Sequence, residues 1–159
     1  MLNRILLLAP AIVLLAACAS QPAATPVDVA GTIARDPELT TLNGLVARSG
    51  LAETLKMQGP YTVFAPTNDA FKAVPAKTMD ELAHDPAKLK AVLSYHVLPS
   101  KPMAADVKTA NIKTAQGANV AVSKSGEFVT VEDAMVTHAD VMATNGVVHT
   151  VDRVLMPPR

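Results

Sequence analysis

Two spacings of apolar residues divide the chain. From residue 28 to about residue 100 they recur mostly as on a helix face, and from residue 104 to 158 they alternate as in strands. In "RDPELTTLNGLVARSG" (residues 35–50), Asp36 can cap a helix and Pro37 suits a first helical position. Leu39, Leu42, Leu45 and Val46 then form one apolar face, and Gly50 can end it. "LAETLKM" predicts a further short turn of helix. Asp85-Pro86 repeats the cap-plus-proline start, and Leu89, Val92, Leu93, His96 and Val97 predict a helix that Pro99 must stop.

The second half reads differently. "NVAVS" and "FVTV" alternate about Lys124-Ser125-Gly126-Glu127, which predicts a hairpin. "ADVMAT" and "VVHTVDRVLM" flank Asn145-Gly146, the strongest short-range hairpin signal. A helical half followed by several strands predicts an α+β domain, a compact sheet with helices around it.

One stretch mixes the two textures. In "YTVFAPTNDAF" (residues 61–71) a β-like run meets Pro66, then the polar triplet Thr67-Asn68-Asp69, then Phe71. Strand-to-helix turns crowded with polar groups are places where enzymes keep nucleophiles. Each group here has a structural task as well. Pro66 holds Ala65 extended, Thr67 occupies an N-cap position, and Asp69 lies in the first turn, where the helix dipole favours a carboxylate. Phe71 can return to the core. Thr67, Asn68 and Asp69 are therefore expected to hold the turn and not to perform chemistry.

The amino-terminal residues change the picture of the apolar content. "MLNRILLLAPAIVLLAACAS" has a cationic start at Arg4, an apolar run from Ile5 to Leu15, and small residues after it. The run falls short of the roughly 20 apolar residues a membrane span needs. Its flanks are those of an export signal. Leu15-Ala16-Ala17-Cys18 resembles the bacterial lipoprotein signal, which implies a signal peptide at residues 1–17 and lipidation of Cys18, the single cysteine. Residues 18–27 read as a flexible tether between lipid and domain. Ala19 is not the aspartate of the common inner-membrane retention signal, so an exported protein held at the outer membrane or in the periplasm is expected in preference to the inner membrane.

Charge narrows the partners. The chain has 14 basic and 14 acidic residues, and loss of Arg4 with the signal leaves 13 against 14. No basic stripe is present, which points away from nucleic acid. No histidine pair has the spacing of a metal site, and no cysteine can complete one, so neither a metal nor another cofactor is expected. No GxSxG or glycine-rich phosphate loop occurs, and no enzymatic activity is expected. His96 falls on the apolar stripe beside Tyr95, and His149 lies on a strand with Val147 and Val151. His138 is placed in a loop and His84 near a helix start.

Three stretches together resemble the fasciclin (FAS1) domain. "GPYTVFAPTNDAF", "KAVLSYHVLP" and "ADVMATNGVVHTVDRVLMPP" are similar to its first conserved block, its Tyr-His motif and its second conserved block, in the family's order. The resemblance covers residues 28–158. It implies a β-wedge of antiparallel and mixed strands with a group of helices, in a non-enzymatic protein of adhesion or matrix-type interaction. Thr67, Asp69, Phe71, Asn145, Gly146 and His149 would be structural motif residues. In animal relatives an Asp-Ile pair before the Asn-Gly turn has been linked to integrin binding. Its positions here are Asp140 and Val141, followed by Met142, and the preceding Glu-Pro is replaced by His138-Ala139. Tyr95 and His96 match the second stretch so linked. These five are the candidate binding residues, for a protein or polysaccharide surface. The alternative is a periplasmic module for a small ligand or glycan, with a polar pocket near Tyr95, His96 and His149.

Overall fold

The structure, a computed structural model, describes residues 27–100 and 109–158. The signal peptide expected at 1–17, Cys18 and all of the tether except Val27 lie outside the described residues.

Among the described residues six short helices come mostly before the sheet in sequence. They are α1 (Val29–Arg35), α2 (Thr40–Ser49), α3 (Leu51–Lys56), α4 (Asn68–Lys72), α5 (Ala76–His84) and α6 (Pro86–Tyr95). Asp28, Thr67 and Asp85 cap α1, α4 and α6 through their side chains. Asp36 does cap, but the turn it starts at Pro37–Leu39 is a 3-10 helix, and α2 begins only after it. Gly50 ends α2 with φ of 74°, a left-handed conformation that suits glycine.

Seven strands follow the order β2-β1-β7-β6-β5-β4-β3 across one mixed sheet. They are β1 (Tyr61–Pro66), β2 (Val97–Leu98), β3 (Ala110–Lys113), β4 (Asn119–Ser125), β5 (Phe128–Val131), β6 (Ala134–Ala143) and β7 (Gly146–Val151). β1 and β7 pair in parallel, and every other pair is antiparallel. The two ends of the sheet meet where the Ala115 amide donates to the Val97 carbonyl at 2.7 Å, nearly closing the wedge.

Several expectations are corrected. The stripe through His96 and Val97 does not stay helical. α6 stops at Tyr95, because Pro99 disfavours helix at Leu98, and Val97 and Leu98 gain pairing with Val63 and Thr62. His138 lies in β6 instead of a loop, whereas His84, the last residue of α5, does lie next to the start of α6 at Pro86. The hairpin at Asn145-Gly146 forms, but its turn residues are Thr144 and Asn145, and Gly146 opens β7 opposite Ala143. Its φ is not positive. The glycine is needed for space, since a Cβ there would lie 2.0 Å from the Tyr61 carbonyl oxygen.

The central strands bury both faces. Val63, Ala65 and Val148 face the helices and pack with Ile33, Leu42 and Leu93. Phe64 and Val151 face the other way and pack with Tyr95, Val120, Val131 and Leu155. All six residues of β7 are buried, so it carries no polar alternation.

Asn145 fastens the two layers. Its Oδ1 accepts from the Val29 amide at 2.8 Å, and its Nδ2 donates to the carbonyls of Leu55 (2.6 Å) and Met57 (2.8 Å). One side chain on the β6–β7 turn thus satisfies the start of α1 and the end of α3. Replacement by alanine removes three bonds worth about 1 kcal/mol each, less some compensation by water. Asn145→Ala is expected to cost about 2 kcal/mol, read as a lowered urea midpoint at unchanged m. A midpoint equal to that of the wild type would show that water replaces the side chain.

Candidate functional site

The polar triplet of the β1–α4 turn is accounted for group by group. Thr67 accepts from the Ala70 amide at 3.2 Å as the cap. Asn68 Oδ1 accepts from the Thr41 amide (2.9 Å) and the Thr40 hydroxyl (3.1 Å), and its Nδ2 donates to the Pro37 carbonyl, tying α4 to α2. Asp69 pairs with Lys72 at 2.7 Å on the surface. Phe71 is buried against the helices. No nucleophile is paired with a base here.

Tyr95 and His96, two of the candidate binding residues, are buried, at 2 % and 1 % exposure. The Tyr95 hydroxyl lies 3.0 Å from the Asn119 carbonyl and 3.3 Å from the Glu132 carboxylate. Burial, together with the Glu132 charge, raises its pKa. His96 Nδ1 lies 2.8 Å from the Val92 carbonyl, and its Nε2 accepts from the Leu155 amide at 2.9 Å. That pairing requires the proton on Nδ1. Burial lowers the pKa to about 4, partly opposed by the Val92 carbonyl, so the ring is neutral at ordinary pH. Both side chains connect α6 to the sheet and to the carboxyl-terminal segment. They do not line a surface.

The other three candidates are on the surface together. β6 pairs regularly with β7 at Ala143, Met142 and Val141, then again at His138 opposite Thr150. Between those points Ala139 and Asp140 face a single β7 residue, His149, which makes a β-bulge. Asp140 has φ of 57°. A side chain in that region costs about 1 kcal/mol, and aspartate is among the few residues that tolerate it. The Asp140 amide turns inward and donates to His149 Nδ1 at 3.0 Å. His149 is buried and stacks on Phe64 with ring centroids 5.6 Å apart. Outside, Val141 and Met142 are 37 % and 54 % exposed. The inverted backbone at Asp140 is the feature the sequence reading missed, and an aspartate four residues before the hairpin turn was its one faint signal.

The polar pocket near Tyr95, His96 and His149 that would favour the small-ligand alternative is not seen among the described residues, where all three side chains are buried. An open groove of about 560 Å³ lies instead beside the bulge, with Thr67, Asn68 and Asp69 along one wall and His138 and Asp152 along the other. Among the described residues no cluster of three histidine, cysteine or acidic side chains could hold a metal.

Fold and site define an α+β wedge domain that presents a bulged sheet face. The family model for the Fasciclin domain matches residues 37–157. The chain belongs to that family. It is 41 % identical over 142 residues to "Protein sll1483" of Synechocystis sp., covering 88 % of this chain and 77 % of that protein. It is also 41 % identical over 141 residues to "Transforming growth factor-beta-induced protein ig-h3" of Sus scrofa, covering 86 % of this chain but only 20 % of that protein. Among solved structures, a FAS1 domain pair from the insect cell adhesion molecule Fasciclin I matches with a TM-score of 0.65 at 18 % identity. That match covers 82 % of this chain and 51 % of the other, and at that identity it bears on the fold.

Proposed function

We propose that this is a non-enzymatic, exported envelope protein, anchored by lipid at Cys18, whose FAS1 domain makes adhesion or matrix-type contacts. The observation that carries the reading is the outer face of β6. A strained backbone at Asp140 is followed by two exposed apolar side chains on a rigid sheet, where folding alone gains nothing from them. The partner is a protein or polysaccharide surface. Deleting the protein should reduce surface attachment and cell aggregation. Val141→Ser with Met142→Ser should fail to restore them while melting like the wild type. Unchanged attachment after deletion would count against an adhesive role.

The anchor has its own test. Cys18→Ala should move the protein from the membrane to the soluble fraction, and a mutant that still fractionates with lipid would refute the anchor. A second reading, a periplasmic module for a glycan, is favoured by the polar groove between Asn68 and His138. Stabilisation by a member of a glycan library that is lost in His138→Ala would select it.

A further inference from the structure

We propose that His149 is the positioning residue of the presented face: its neutral ring, protonated on Nε2, supplies the acceptor that holds Asp140 in its inverted conformation and so aims Asp140, Val141 and Met142 outward. This rests on the adhesive reading for its biological use, but the structural claim stands by itself.

An antiparallel pair satisfies each inward amide with a carbonyl across the strand, and the bulge breaks that exchange at Ala139 and Asp140. The Asp140 amide then points into the sheet, where an amide without an acceptor is costly. It meets His149 Nδ1, at 3.0 Å.

A nitrogen can accept only through a lone pair, so Nδ1 carries no proton and the ring's proton is on Nε2. The tautomer is therefore opposite to that of His96, whose Nδ1 meets a carbonyl and whose Nε2 accepts. The ring is also held in place. It is 3 % exposed and lies against Phe64, its parallel neighbour on β1, with 26° between the planes. Phe64 is itself buried, so the acceptor cannot follow the amide if the bulge relaxes. Regular β pairing at Asp140 would turn its amide away from His149 and change which side chains between His138 and Val141 face solvent. One buried nitrogen thus selects which face of β6 a partner meets.

An N–H···N bond has a direct spectroscopic signature, a scalar coupling between the two nitrogens. In the full chain, labelled with 15N and purified in detergent, a coupling between the Asp140 amide and His149 Nδ1 is expected, with His149 in the Nε2-protonated form. A ring protonated on Nδ1, or no coupling, overturns the proposal. His149→Leu keeps an apolar side chain but no acceptor. It should lower the exchange protection of the Asp140 amide about tenfold or more and shift the Val141 and Met142 amides, while Val63 and Val148 keep their protection. His149→Asn, with an acceptor near the Nδ1 position, should restore the Asp140 protection. A purely packing role predicts the reverse order, with leucine better than asparagine, and that order overturns the proposal. If leucine fails to fold, the wild-type coupling and the asparagine variant still decide. Loss of protection in leucine and rescue in asparagine, with attachment equal in all three proteins, would uphold the positioning role and refute the adhesive one.

Discussion

Gly146→Ala is expected to cost roughly 4 kcal/mol or more, in the range that unfolds an ordinary domain. The added Cβ would sit 2.0 Å from the Tyr61 carbonyl oxygen and 2.9 Å from its carbon, with Val29 Cγ2 behind at 3.0 Å. Two of those three atoms are backbone, so no rotamer change relieves the contact. Tyr61 cannot retreat either, because it begins the strand that β7 and β2 hold from both sides. The alternative is to open the β1–β7 pair, which would part β1 and β2 from the other five strands. A protein recovered in inclusion bodies, or a melting point lowered by about 15 °C, is the expected result. Gly44→Ala is the control. That glycine is in the interior of α2 with nothing within 4 Å of the new methyl, and alanine there should stabilise by about 0.5–1 kcal/mol. A Gly146→Ala melt within a few degrees of the wild type would mean that the sheet can part at low cost.

Acid should weaken the domain through His96, and the sign follows from the direction of the shift. The ring has a pKa of 6.5 in the unfolded chain and about 4 when folded, because burial disfavours its charged form. Above pH 6.5 neither state binds the proton, and the group contributes no pH dependence. Between 6.5 and 4 the unfolded chain takes up a proton that the native state refuses, so stability falls as pH falls. Below that window the loss is complete, at about 3 kcal/mol. Protonation also places a second N–H against the Leu155 amide, which already donates to Nε2. The measurement is a urea midpoint series from neutral pH downward, for the wild type and for His96→Gln. The variant should be less stable at neutral pH, and its decline across the window should be shallower by most of that amount. Carboxylates contribute equally to both series, so equal slopes would show that His96 is not the acid-sensitive group.

How far the sequence could be read depended on whether a residue's task was local. Caps and stops are settled by a few neighbours, and Asp85, Thr67 and Gly50 act where the pattern puts them. The apolar spacing of residues 89–95 correctly predicts α6, but two residues beyond it are taken by pairing with β1, a contact no local pattern contains. β7 gave little polar alternation to read because it is covered on both faces. The same distinction governs the candidate site. Asp140, Val141 and Met142 are brought together because they are adjacent in sequence. Tyr95 and His96 belong to the same motif in the resemblance, yet burial removes them from any surface. His149 shares a block with Asp140, but their bond depends on a two-against-one mismatch between strands, which spacing does not reveal. Gly146 was read as part of a hairpin turn and is needed for clearance against a strand far away in the chain.

The parallel pairing of residues 61–66 with residues 146–151 also sets an order of events. β1 is buried on both faces and has no partner on its β7 side until nearly the whole domain has been made. A chain emerging in sequence order therefore carries an exposed "YTVFAP" through most of its synthesis, with only the two-residue β2 able to pair with it earlier. Completion is abrupt, because one strand closes the sheet, seats Asn145 on α1 and α3, and brings His149 beneath Asp140. A domain built this way completes its sheet only once residues 146–151 are available to β1.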